Sequence, residues 1–544
     1  MVSVGSRPSL RLPVRLDRLA ALPDVFKLRL RASLAIVAAA AVFLASLLYY
    51  ILCLFPGLGG ELNAGDSAKF QVLGHTPILL HGPGYPIVLM LGAGLRMLAL
   101  PFPEWWTLTV ALSAVPAAIA NTIAFLIVDR LTRNLAVAVA AALLLASAGL
   151  MAVQATEAEV YALTLAFVLG TAFLLVLFVE TNRLGFFLAA CAVYAFSFGN
   201  HLMMIMLLPV FLLLTVVHRN LILRPLPVAL ILLFIALGAS QYAYLAYVAY
   251  SAETAYSEYM PLPPEPMELV HYVLGTYFRD LYGSGLASTR TLEALIGTLR
   301  SAHPWISLPM IGVGAVLFVA SWSRRDANWY GVAVVYGVAT AFIPFVLWYG
   351  AYDIWAFHLP VLGPLLVAAV ATLGWWLRPR PGLLKVLAAL LLAVGLVRTG
   401  QTGIVLAQRQ PIFTELESTI ETIVAQSSVE KPLVAMSYAL RMATLYHVLR
   451  GDLPRSPVYR VWWRAVSEIG DRAAVGGIVV PTDGYQFVRW IEYHRPDMAC
   501  RSEKIALPEG ARWPAYAFEC RGYPSEPSGK VAGSIGAPEV ANPR

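Results

Sequence analysis

Asp66, within Gly65-Asp66-Ser67, precedes His81 by fifteen residues, and His81 opens the run His81-Gly82-Pro83-Gly84-Tyr85-Pro86. Further polar positions flank later apolar runs: Glu157 and Glu159, Asn200 and His201, Arg279 and Asp280, Asp353 and His358, with His75 close to the first pair. A carboxylate can accept a hydroxyl proton, while imidazoles and an arginine can donate to phosphate oxygens. The mixture suits group transfer on an anionic lipid substrate.

Each position also has a purely structural explanation. Asp66 after Gly65 could cap a short helix. Thr156-Glu157-Ala158-Glu159 fits a capping box, with Thr156 as cap and Glu159 three residues on. In Gly199-Asn200-His201 a turn accounts for Gly and Asn but not for His. Arg279-Asp280 could be a surface ion pair of little energetic value, and Asp353 and His358 could simply mark a wet loop.

These residues must be held by elements, and composition says which kind. The chain has 544 residues, 59% hydrophobic and 13% charged, with a mean hydropathy of +0.70, far more apolar than soluble domains at about 45–50%. It is read as a polytopic α-helical membrane protein. Apolar runs occupy 33–55, 105–128, 135–153, 160–179, 184–199, 202–217, 226–249, 306–321, 329–348, 359–377 and 383–397, so about eleven transmembrane helices are expected. The first run follows a basic tail, 1–32, but is too long for a signal-peptide core and is read as an uncleaved anchor.

Charge sets the orientation. Joints 129–134, 180–183, 218–225, 322–328 and 378–385 all carry Arg or Lys, whereas 154–159, 200–201 and 349–358 carry none. The positive-inside rule then puts the N-terminus in the cytoplasm, with long outer loops at 56–104 and 250–305. It also explains the +7 charge without nucleic acid as a partner. Ile87–Leu100, containing Arg96, Gly92 and Gly94, is read as an interfacial or re-entrant helix, because counting it as a span would place the basic joints outside.

The transmembrane region is taken as 33–399. Residues 400–521 read as a small C-terminal α/β domain on the outer face, with strand then helix at 433–436 and 439–449, the same order at 477–480 and 485–494, and a last strand at 515–520. Residues 522–544 are rich in Pro, Ser and Gly and are expected to be disordered. Cys53 and Cys191 lie within spans. Cys500 and Cys520 lie in the outer domain and can pair as a disulfide in an oxidising compartment. No Walker or dinucleotide glycine pattern occurs, and no cofactor is assigned. A divalent metal is compatible with the loops but not predicted.

Gly65-Asp66-Ser67, His81-Gly82-Pro83-Gly84-Tyr85-Pro86, Glu159-Val160-Tyr161-Ala162-Leu163 and Gly199-Asn200-His201-Leu202 resemble, in order and spacing, a transmembrane family whose animal member is a protein O-mannosyltransferase. The resemblance covers about residues 60–400. It implies a GT-C glycosyltransferase using a polyprenyl-phosphate sugar, with the catalytic Asp in the first outer loop, here Asp66. The family often has Glu three residues after this Asp; here the residue is Lys69.

With Asp66 as base, His81, His201 and Arg279 are candidates to hold the donor phosphate. Glu159, Tyr85, Asn200, Glu157 and Asp353 are candidates to position sugar or acceptor. The implied partners are the polyprenyl-phosphate donor, membrane lipids and a protein, lipid or glycan acceptor. The implied location is the bacterial inner membrane. The competing readings are a lipid or glycan transporter or flippase, and a non-catalytic envelope assembly factor.

Overall fold

The computed structural model describes residues 24–60, 64–251, 266–287, 289–351, 354–409, 418–423, 425–426, 433–435, 438–450, 458–459, 474–480, 498–507 and 515–522. Helix α1 (Asp24–Leu52) contains the uncharged run Ser33–Phe55 up to Leu52, and its Ile36, Val37, Leu44 and Leu52 are exposed. A helix that is apolar all round and bare on one side is solvated by lipid. Next come α2 (Ala64–Val72) and α3 (Pro86–Leu98). Helix α4 (Glu104–Thr132) includes one π turn at Val110–Ala114. Then follow α5 (Leu135–Ser147), α6 (Gly149–Thr156), α7 (Tyr161–Thr181), α8 (Leu184–Ser197), α9 (Leu202–Val217) and α10 (Pro225–Tyr250).

The second half holds α11 (Pro266–Val273), α12 (Arg290–Ala302), α13 (Ser307–Ala320), α14 (Ala327–Trp348), α15 (Leu359–Leu377) and α16 (Pro381–Ala407). Helix α15 is the centre of the bundle, buried along almost its whole length against α4, α7, α13 and α14. Small residues allow the close approach: Gly363 abuts Leu165, and Gly314 abuts Ala369. Helices α10 and α16 lie outside and expose Leu, Ile and Val side chains.

Seven described helices are long and apolar enough to cross a membrane, or nine if the bent pairs α5–α6 (67°) and α12–α13 (100°) each count as one. Eleven is reached only by adding α8 and α9. With 14 residues, α8 is about 21 Å long against a hydrocarbon core of about 30 Å. Helix length therefore does not carry the count of eleven. The Ile87–Leu100 stretch forms α3, 13 residues long, packed on α10.

Ion pairs mark the two ends of the bundle. At one end Arg31 binds Asp129 (2.8 Å) and Arg130 binds Glu180 (2.5 Å). At the other, Arg409 is buried among Glu157 (3.1 Å), the Cys53 carbonyl (2.6 Å) and Thr156 Oγ1 (3.0 Å). The Cβ of any residue replacing Gly60 would strike the Glu157 carboxylate, so the loop leading to α2 starts from this cluster. Helix α16 continues to Ala407, and no structural break falls at residue 400.

The C-terminal part forms a five-stranded sheet in the order β2-β1-β3-β5-β4. The strands are β1 (Leu433–Ala435), β2 (Val458–Tyr459), β3 (Ala474–Val480), β4 (Met498–Lys504) and β5 (Tyr516–Gly522). The β1 pairings are parallel, and those of β5 with β3 and β4 are antiparallel. Cys500 faces Cys520 across β4 and β5, and the two are disulfide-bonded. Helix α17 (Tyr438–Arg450) packs on α2, with Tyr446 against His75 (ring centroids 4.8 Å) and its hydroxyl 3.4 Å from Glu104. The sheet domain and Asp66 therefore share one end of the bundle. The residues expected at 485–494, and the tail beyond 522, lie outside the described residues.

Candidate active site

Asp66 and Lys69 are three apart on α2, so both side chains leave the same face of the helix. Lys69 Nζ donates to Asp66 Oδ1 at 2.5 Å and to His81 Nδ1. Lys69 is 1% exposed, a rare position for an ammonium, which is ordinarily left in water unless paired. Its nitrogen lies 4.8 Å above the Phe70 ring. Since His81 Nδ1 accepts from an ammonium, the ring hydrogen sits on Nε2, which contacts the Tyr85 hydroxyl at 3.0 Å.

The His81–Pro86 loop holds this arrangement. The Gly82–Pro83 peptide is cis, and Gly84 has φ +90°. Tyr85, with φ +49°, is held in the left-handed region although it bears a side chain, a conformation that persists only where the surroundings impose it. Here they do. Its hydroxyl meets His81, and its ring packs on Phe70 (5.7 Å), His81 (5.2 Å) and His201 (5.8 Å). Pro86 then starts α3 with a pre-set φ.

His201 caps α9: its Nδ1 accepts the Met203 N–H at 3.1 Å, which explains the histidine that turn geometry alone did not. The ring is enclosed by Tyr85, Tyr161 (6.0 Å) and Phe357 (5.6 Å). Asn200 pins the break between α8 and α9 to the start of α7, donating to the Val160 carbonyl (3.1 Å) and Thr164 Oγ1 (2.8 Å). Glu159 is fixed there too. Its N–H donates to Ser113 Oγ at 2.9 Å, and its carboxylate accepts the Val160 N–H at 3.1 Å.

Electrostatics follow from this packing. Burial disfavours the charged Asp66, but the Lys69 ammonium and then His81 outweigh it and hold the carboxyl below its ordinary range. Burial, reinforced by Lys69, pushes His81 down to about 3, and burial lowers His201 to about 4. Burial first, then the charges of Asp66 and Glu159, raise the Tyr85 hydroxyl well above its usual value. Both imidazoles are thus neutral near pH 7, each with one ring N–H to donate. The buried cation at this site is Lys69.

The structure thus brings Asp66, His81, Tyr85 and His201 into one chain of contacts, with Glu159 close enough to act on Tyr85. Arg279 is exposed on a 3-10 turn, Thr276–Leu281. Its neighbour Phe278 lies 6.0 Å from the His81 ring. Glu157 is engaged by Arg409 instead of facing a substrate. The expected capping box does not form: Thr156 ends α6 and binds Arg409, and α7 begins with no side-chain cap. Asp353 lies outside the described residues. Among the described residues no cluster of three or more His, Cys, Asp or Glu side chains stands ready to hold a metal.

Sequence reasoning missed three contributors. Lys69 had a signal, its i,i+3 spacing from Asp66. Tyr161 sat within a quoted motif, whereas Phe357 had no signal beyond its aromatic character.

Residues 66–222 match the family model described as the protein O-mannosyl-transferase TMEM260 N-terminal domain, a match that opens on Asp66. The chain is similar over this stretch to the N-terminal domain of an O-mannosyl-transferase. Its fold is similar to two crystal structures of ArnT from Cupriavidus metallidurans. The one bound to undecaprenyl phosphate gives a TM-score of 0.56 at 12% identity, over 88% of this chain and 97% of that chain. The apo structure gives 0.54 at 13% identity, over 89% and 98%. No curated protein matches the chain in sequence. The family match includes His81, Glu159, Asn200 and His201, while Arg279 and the sheet domain lie beyond it.

Proposed function

We propose that this membrane glycosyltransferase moves mannose or a similar sugar from a polyprenyl-phosphate donor to a protein, lipid or glycan acceptor, with inversion, and that Asp66 is the base. The observation that carries the reading is a carboxylate kept ionised by a buried ammonium at one end of a continuous imidazole–aromatic cluster. In the reaction the acceptor oxygen bonds the anomeric carbon, whose bond to the phosphate oxygen breaks. The acceptor's proton passes to Asp66, and polyprenyl phosphate departs. A sugar carbon turning cationic gains from a nearby carboxylate, and a phosphate leaving group needs donors rather than a strong acid. Lys69, the His81 N–H and the His201 N–H are the donors at hand. The aromatic faces of Tyr161 and Phe357 suit the apolar face of a sugar.

The undecaprenyl phosphate in the ArnT crystal structure supports a lipid phosphate of this class here. The basic joints support an N-terminus in the cytoplasm of a bacterial inner membrane, with Asp66 and the sheet domain outside. Asp66→Asn keeps shape and removes proton acceptance. Transfer from a polyprenyl-phosphate sugar is expected to fall by about 10²–10⁴-fold in protein that purifies and melts like wild type. Near-normal turnover in that variant would reduce Asp66 to a structural residue and remove the catalytic assignment.

A further inference from the structure

A cavity of about 360 Å³ lies where the end of α2, the end of α3 and the start of α4 meet, within the range of about 300–1,000 Å³ usual for small-ligand sites. It is distinct from the cluster around Asp66, since His75 follows the far end of α2. Its polar walls are His75, Arg96 on α3, and Glu104 and Thr107 in the first turn of α4. Close approach shapes it: a Cβ on Gly74 would lie 2.5 Å from the Glu104 Cβ, so a larger residue would push α2 off α4. Arg96 donates through Nη1 to the Leu73 carbonyl, which fixes the guanidinium beside the end of α2. The Glu104 carboxylate is 3.6 Å from His75 Nε2 and 3.4 Å from the Tyr446 hydroxyl, and its side chain is 40% exposed. One helix thus brings a cation to the cavity and another a carboxylate.

The rim says what comes to it. Glu104 opens the α4 span, so the cavity sits where a helix leaves the hydrocarbon, the level of phospholipid headgroups. Beside it Met97 and Leu98 are 87% and 65% exposed, and Leu100 and Phe102 are exposed as well. A contiguous apolar patch of this kind marks contact with a membrane or partner, and at this depth acyl chains cover it. Phe102 also packs on Trp106 (ring centroids 4.7 Å), an aromatic pair of the sort that gathers at the membrane–water interface. A polar cavity behind an apolar rim takes an amphiphile, headgroup inward and chains along the rim. Charge selects the headgroup. A purely anionic lipid gains Arg96 but is repelled by Glu104, and a choline headgroup has no N–H to give a carboxylate. Ethanolamine satisfies both, with a phosphate for the guanidinium and an ammonium for the carboxylate. We propose that this cavity binds phosphatidylethanolamine, its phosphate on Arg96 and its ammonium on Glu104. The site does not depend on which sugar, donor or acceptor Asp66 serves.

The test is native mass spectrometry of the full-length protein in detergent micelles carrying equal mole fractions of dioleoyl phosphatidylethanolamine, phosphatidylglycerol and phosphatidylcholine. Wild type is expected to retain the ethanolamine lipid several-fold over the other two. Arg96→Gln is expected to lower that retention about tenfold, the scale of a lost charged hydrogen bond. Glu104→Gln is expected to abolish the preference over phosphatidylglycerol while holding phosphatidylglycerol at least as well as wild type does. Equal retention of the three lipids by wild type, or a preference for phosphatidylglycerol, overturns the proposal. Retention unchanged in Arg96→Gln overturns it too, and so does an ethanolamine preference that survives Glu104→Gln, because the lipid is then held elsewhere. If Arg96→Gln does not accumulate, Glu104→Gln decides, since a ratio of two lipids on the same protein does not move with a loss of stability.

Discussion

At the scale of single residues, the site is a set of titratable groups whose proton affinities have been moved by what surrounds them, and stability should record this. His81 is held at about 3 and His201 at about 4, against about 6.5 in an unfolded chain. Between those values the unfolded chain binds protons that the folded chain refuses, so stability rises with pH through that window and falls as pH drops below about 6.5. Asp66, depressed by Lys69, acts in the same direction at lower pH: its contribution is present above the ordinary carboxylate value and is lost as pH falls through the folded one. A melting temperature flat above about pH 6.5 and declining towards pH 4 is expected, with a shallower decline in His81→Asn. An unchanged slope in that variant would mean that His81 is not buried as a neutral ring.

At the scale of elements, the precision of the site depends on the turn between α2 and α3. A Cβ on Gly82 would lie 2.6 Å from the Tyr272 carbonyl oxygen at the end of α11, and backbone there cannot give way as a side chain could. Gly82→Ala must displace His81, the preceding residue. A misplacement of about 1 Å can cost about 10²-fold in rate, so transfer is expected to fall far more than stability. Gly94→Ala, on the open face of α3 with nothing within 4 Å, should leave transfer unchanged and serves as the control. Steady-state assays and melting curves of the two variants separate these outcomes.

Elements of this kind were unevenly legible in the sequence. Apolar runs announce helices because lipid admits few other backbones, and α1, α4, α7, α10, α14, α15 and α16 are each long enough to cross. Asp66, His81, Tyr85 and His201 stood in short motifs, and the fold brings them together. Burial of Lys69 was not legible, since lysine is ordinarily exposed. The neutrality of His81 and His201 depends on the burial of those two rings and was hidden in the same way. Thr156 and Glu159 had the spacing of a capping box, but Arg409, 253 residues from Thr156, captured the cap.

At the scale of the whole molecule, the Arg409–Glu157 pair ties the end of α16 to the end of α6 and to the exit of α1. Both side chains are buried, 2% and 0% exposed. Removing one partner takes a buried counter-charge from the other, at a cost of about 3–5 kcal/mol. Arg409→Met or Glu157→Gln should each lower the melting temperature sharply, and the double variant should recover part of the loss. Strictly additive losses, measured as a double-mutant cycle, would show that the two charges do not depend on each other.

Helix α17 of the sheet domain rests on α2, the same short helix that carries Asp66 and Lys69. An inhibitor need not occupy the Asp66–His81 cluster to act on it. A small molecule or antibody fragment that wedges between Tyr446 and His75 would tilt α2 away from α17 and draw Asp66 from its contact with Lys69, a mode of inhibition that owes nothing to resembling a substrate.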